Sequence, residues 1–194
     1  MGLIKSAYEL AMEKSEGLTV DKEALKQENS FKKGRTIGLK SLSEGVDFFK
    51  KEWKLLETDK EFSLKDGKLG VMEAWLSTFT LKIIPEGDKT ILPLDSLMDI
   101  LTGKSSSEIL SQIKELLDQF QQDAIQLKTA IIQQLGPRLK QRAEQMAAQS
   151  GTAMRYVMER DPEFVKVMNQ NLEKLREQYL PHLEMFKKNL TDLL

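Results

Sequence analysis

Cysteine is absent from this 194-residue chain, so disulfides, thiolate zinc sites, iron–sulfur clusters and cysteine nucleophiles are excluded for the unmodified protein. Charge of one sign is also missing: 29 basic residues stand against 30 acidic ones, a net charge of −1. A duplex binder needs a surplus of Lys and Arg to displace counterions from phosphates, and none is present here, so no nucleic-acid partner is expected. Long apolar runs are lacking too. The apolar window around Val71 to Leu81 is interrupted by Glu73 and is far too short to span a bilayer, so no transmembrane segment is expected. The first residues hold no apolar run of seven or more, which excludes the core of a secretory signal peptide and points to a cytoplasmic protein. Met1-Gly2-Leu3-Ile4-Lys5-Ser6 does fit the short N-myristoylation pattern.

Catalytic and metal signatures are equally scarce. The one histidine, His182, has Tyr179 where a bundle metal site would place glutamate, and a single histidine cannot supply the paired motif. No Gly-x-Ser-x-Gly elbow accompanies it. Gly34-Arg35-Thr36-Ile37-Gly38-Leu39-Lys40 resembles a phosphate loop but has three residues between the glycines instead of four, and charged helix precedes it instead of a strand. Lys32, Lys33, Arg35 and Lys40 could gather an anion at a following helix start, although a solvated surface is the simpler account. Acid pairs such as Glu115 with Asp118 or Glu159 with Asp161 are what any exposed helix supplies. No catalytic residue, cofactor or metal ligand is therefore assigned, and no resemblance to a known family emerges.

What is present is helical periodicity. Leu3, Ile4, Ala7, Leu10 and Ala11 predict a short helix ended by Gly17. Thr19 offers a cap for a charged helix toward Lys33 with a thin apolar stripe. Beyond Gly34 and Gly38, the residues Leu39, Leu42, Val46, Phe49, Trp53 and Leu56 repeat every three or four positions, like a coiled-coil seam. Ser41 and Glu44 form a capping box that would start a helix inside that seam, at Ser41 instead of Thr36, and Gly45 weakens it.

From Phe62 to Leu94 the texture turns to β-branched and aromatic residues with glycine and proline. Phe62 and Leu64 alternate toward Asp66-Gly67, a hairpin signal, with Leu69 and Val71 beyond it. Residues 78–84 and 90–92 read as strands about a turn at Pro85 to Asp88, making a small β hairpin or meander near residues 62–93. A competing helical stripe through Leu69, Met72, Trp75 and Phe79 leaves 69–77 undecided. Trp75 and Phe79 read as core more readily than as a pocket lining.

A short helix from Leu94 to Leu101 is closed by Gly103. Ser105 and Glu108 then open the longest element, with Ile109, Ile113, Leu116, Phe120, Ala124, Leu127, Ile131 and Leu135 on one side, until Gly136-Pro137 ends or kinks it. A shorter helix through Leu139 and Ala143 runs to the break at Ser150-Gly151, and Thr152 to Arg160, with Met154, is one more helical stretch. Asp161-Pro162-Glu163 has the cap, proline and acid of a helix start. Val165, Met168, Leu172, Leu175 and Tyr179 keep a heptad, and a register change at Pro181 moves the seam to Leu183, Phe186, Leu190 and Leu193.

The expected fold is mainly α, with long antiparallel helices as a bundle or helical hairpin. The expected division is an N-terminal helical part over 1–104, holding the meander, and a long-helix part over 105–194, within one structural unit. The expected function is a non-enzymatic interaction or scaffold protein. Its partner is a protein, itself included, and its interaction seam is Val165, Met168, Leu172, Leu175, Tyr179, Leu183 and Phe186. A carrier of a lipid or other apolar small molecule is the alternative, and membrane-surface binding a second; the second suffers from balanced charge.

Overall fold

The computed structural model describes residues 22–83, 94–150 and 156–194, with Ser150 described only in its backbone. The helix expected over 3–17, the turn at Pro85 to Asp88, the strand over 90–92, and Gly151 and Met154 lie outside those residues. The chain divides into two compact units, one ending at Trp75 and the other starting at Leu76.

The first unit is built from α1 (Lys22–Glu44), α2 (Val46–Glu57) and α3 (Leu64–Leu76). Helix α1 does not begin at Ser41: it runs unbroken through Gly34 and Gly38, because these glycines form its packed face. Ser30, Gly34, Gly38 and Ser41, spaced four, four and three apart, are its buried residues. The helix it meets, α3, turns Gly67, Gly70 and Ala74 toward it. A Cβ on Gly34 would stand 2.0 Å from the Gly67 carbonyl oxygen, and one on Gly70 would stand 2.1 Å from the Phe31 carbonyl oxygen. The two backbones therefore cross at a distance that only glycine permits. Interruption comes at Gly45, whose φ of +88° favours glycine. That break splits the expected seam: Leu39 is left 46% exposed, while Phe49 and Trp53 turn into the core.

The expected hairpin at Phe62 to Val71 is not there; Leu64–Leu76 is helix. Ser63 precedes its first turn, with the Ser63 hydroxyl 2.5 Å from Asp66 Oδ2, so the residues read as a turn are a Ser-x-x-Asp start. Gly67 is needed because a Cβ there would meet the Phe62 ring at 2.1 Å. Ser30 anchors the same entry: its Oγ accepts from the Ser63 amide at 2.8 Å and donates to the Lys26 carbonyl at 2.7 Å.

The core of this unit is aromatic. Phe49 stacks on Trp53 at 5.7 Å and meets Trp75 at 5.1 Å, and Phe62 stands edge-on to Trp53 at 6.0 Å. Such pairs contribute roughly 0.5–1.5 kcal/mol each beyond their buried area. The Trp75 indole N–H donates to the Gly38 carbonyl and to Ser41 Oγ, both at 3.0 Å, so its polar edge is satisfied inside the core.

In the second unit, residues 78–83 form no strand either. Leu81 is buried and its carbonyl accepts from Arg176 Nε at 3.2 Å, while the Thr80 carbonyl accepts from the Lys82 amide at 2.9 Å. A side chain and a tight turn take the hydrogen bonds that a sheet partner would have taken. Among the described residues there are no strands. Helix α4 (Leu94–Thr102) ends at Gly103, φ +71°, as its sequence implies.

Helices α5 (Ser107–Ser150) and α6 (Pro162–Thr191) form an antiparallel hairpin. Gly136-Pro137 does not end α5, which continues for 44 residues, about 66 Å at 1.5 Å per residue. Pro137 is exposed, and Ile131 and Leu139 on either side of it both pack against Phe164. Packing on both flanks holds the helix through the missing amide. In α6 the apolar face shifts after Pro181: Leu183 and Leu190 are buried, whereas His182 and Asn189 are exposed.

The turn before α6 is clasped by charge. Asp161 caps the helix by accepting from the Glu163 amide at 2.9 Å. Its other oxygen takes Arg142 Nη2 at 2.6 Å and the Tyr156 hydroxyl at 3.2 Å. Arg142 also reaches Glu163 at 3.0 Å, and Arg138 pairs with Glu163 as well. The Arg142 guanidinium holds the Asp161 carboxyl below its ordinary range. A depressed folded-state value means the clasp contributes fully above the unfolded aspartate value, near 3.9, and is lost as pH falls through the folded one. Asp161→Ala is expected to cost about 2 kcal/mol in urea unfolding at pH 7, from the cap and the ion pair together. Asp161→Asn is expected to flatten the loss of stability between pH 4 and pH 2; an unchanged acid limb would exclude the clasp as its source.

Candidate functional site

The residues expected as an interaction seam sit on α6 against α5. Leu172 and Leu183 are buried, Met168, Leu175, Tyr179 and Phe186 half-buried, and Val165 is 40% exposed. Tyr179 stands edge-on to Phe120 at 5.5 Å and donates its hydroxyl to Asp123 Oδ2 at 2.5 Å. Burial first, and then the Asp123 carboxylate, push Tyr179 up to about 12. Most of this stripe is thus covered by the chain's own helix.

The four cations clustered in the sequence at Lys32, Lys33, Arg35 and Lys40 do not converge on one anion site. Lys33 pairs with Asp59 at 3.1 Å, Lys32 with Glu28 at 2.5 Å and Arg35 with Glu73 at 2.6 Å, and Lys40 is exposed. His182 is exposed, and no group of three or more metal-ligating side chains occurs among the described residues. No helix among them is long and apolar enough to cross a membrane.

A groove along α1 was not found by reading the sequence. It has a volume of about 650 Å³ and runs between α1, Leu56 of α2 and Glu61 of the following loop. Leu25, Ile37 and Leu56 supply its apolar surface, and Lys22, Lys26, Lys32 and Lys33 its charged edge. The two faces of α1 divide the work: small residues close on α3, leaving the lysine-bearing side to the groove. Leu25 is 49% exposed. Lys26 Nζ donates to the Lys60 carbonyl at 3.2 Å, and its charge also acts on the nearby Asp59. Asp59, held by the Glu61 amide at 2.9 Å, is lowered in pKa by that bond first and by Lys33 second. The available signal was the spacing of Lys22, Lys26, Asn29 and Lys33, one helical face, beside a stripe of serine and glycine.

Compared with known proteins, residues 50–192 match a family of unknown function, DUF6657. No curated protein and no solved structure matches the chain. The α1 wall of the groove precedes the matched span, whereas Leu56, Glu61 and the whole α5–α6 hairpin lie within it.

Proposed function

The chain belongs to DUF6657, a family of unknown function, and for this member we propose a non-enzymatic interaction protein that binds a partner protein through the α1 groove. The observation that carries this reading is the contrast between two apolar surfaces. The α6 stripe is largely covered by α5, while the groove leaves Leu25 half in solvent beside Ile37 and Leu56. Single exposed apolar side chains are ordinary, but a concave surface that gathers several of them beside a few polar groups is the usual form of a binding site.

A photo-cross-linking residue in place of Leu25 tests the proposal. One discrete protein adduct is expected, formed again with that protein in purified form, and absent with the same probe at the exposed Glu115 of α5. Equal labelling from both positions would sink the reading. Carriage of an apolar small molecule is the second reading, because the groove volume falls among those of small-molecule sites, roughly 300–1,000 Å³. Native mass spectrometry of gently purified protein then shows a bound adduct that Leu25→Glu removes.

A further inference from the structure

The groove's dimensions and charge define its occupant further. Its α1 wall runs from Lys22 to Ile37, fifteen helical steps, or about 22 Å. Leu25 and Ile37 are twelve steps apart, about 18 Å, with Leu56 of α2 as the third apolar element. A docked helix with apolar residues at i, i+4, i+7 and i+11 spans about 16.5 Å, close to the same distance. Of its four lysines, Lys32 and Lys33 are paired with Glu28 and Asp59, which leaves Lys22 and Lys26 as the cations of the rim, and Glu61 is the acid among the lining residues.

We propose that the groove receives an amphipathic helix of a partner protein, about four turns long, with an apolar stripe flanked by glutamate or aspartate. This rests on the groove being the binding face, and it adds the chemistry of what binds. The apolar stripe seats between Leu25, Ile37 and Leu56, and the acids meet Lys22 and Lys26 at the rim. Rim pairs set the sign of charge preference more than the strength of binding.

The probe is a fluorescein-labelled helical peptide of about sixteen residues with leucine at i, i+4, i+7 and i+11 and glutamate beside them. A second peptide carries lysine for each glutamate. Fluorescence anisotropy with the full chain is expected to favour the acidic peptide by about tenfold, each rim pair contributing up to about 1 kcal/mol. Lys22→Glu with Lys26→Glu is expected to reverse that preference. Leu25→Glu is expected to weaken both peptides by tenfold or more. Leu25 is half exposed, so the tryptophan unfolding midpoint of that variant, expected unchanged, shows that the fold is intact.

Equal affinity for the two peptides overturns the proposal, as does binding that Leu25→Glu leaves untouched. If a chain lacking residues 1–17 binds the acidic peptide and the full chain does not, the groove is the seat of the chain's own N-terminal segment. If the lysine variants abolish binding to phosphatidylserine vesicles and neither peptide binds, the ligand is a membrane surface. A dimer dispersed by Leu25→Glu makes the occupant a second copy. A specific cross-link at position 25 with the wrong peptide preference refutes the acidic helix and leaves the binding face standing; loss of both refutes both.

Discussion

Replacing Gly34 with alanine is expected to destabilise the first unit by about 3 kcal/mol or more, where the same change at an exposed helix position stabilises by roughly 0.5–1 kcal/mol. The sign reverses because of what the new methyl meets. Its carbon would stand 2.0 Å from the Gly67 carbonyl oxygen and 2.8 Å from the carbonyl carbon. Both are backbone atoms of another helix, which cannot rotate away as a side chain can. Relief requires α1 and α3 to separate, and that loosens Gly70 against Phe31 and the Trp75 bonds to Gly38 and Ser41. The measurement is direct, because the chain has two tryptophans and both, Trp53 and Trp75, lie in this unit. Urea unfolding followed by tryptophan emission should shift strongly for Gly34→Ala and Gly70→Ala. Gly45→Ala, in the same unit and with nothing near its Cβ position, should carry only the cost of a left-handed alanine, about 1 kcal/mol. Equal stability of wild type and Gly34→Ala would mean that the helices do not cross at this point.

Phe164→Ala is the second large effect, about 3–5 kcal/mol against the α5–α6 hairpin. Phe164 is 3% exposed and forms one buried cluster with Ile131 and Leu139, with Leu135, Tyr156, Met158 and Met168 packed around it. Removing the ring takes packing from both sides of Pro137 at once, where α5 already lacks one hydrogen bond. Thermal unfolding read by circular dichroism at 222 nm should fall by roughly 10 °C, with Val165→Ala next door changing little. A small effect of Phe164→Ala would show that the helix passes Pro137 without this support.

Much of the second unit was legible in the sequence because its signals are local and apolar. Asp161-Pro162-Glu163 starts α6 where the cap residues place it, and the stripe from Ile109 to Leu135 is buried or half-buried along its length. The register after Pro181 could be read because only one of the two alternatives keeps leucine inward. The first unit was read less well for a physical reason. Hydrophobic periodicity counts large side chains, and α1 packs through Ser30, Gly34, Gly38 and Ser41, which that count treats as gaps. Likewise, Asp66-Gly67 satisfies both a hairpin turn and the first turn of a helix. Ser63 three residues before Asp66 distinguishes them, and without that pair the alternation from Phe62 to Val71 suggested strands. Only the structure places Leu56 and Glu61 beside α1, and so the groove had no linear signature beyond its lysine spacing.

The long hairpin also has a direction in its loop-closure entropy. Arg142 and Asp161 are 19 residues apart in sequence, Asp123 and Tyr179 are 56 apart, and Lys104 and the Leu193 carbonyl, 2.7 Å from each other, are 89 apart. Bringing two points of a flexible chain together costs more as the intervening loop lengthens, by about 1.4 kcal/mol between the first of these contacts and the last. The Asp161 clasp is the contact that costs least to form from an open chain, and each contact beyond it is entered from a loop already shortened. The charged corner that caps α6 is thus also the end from which the two helices close most cheaply.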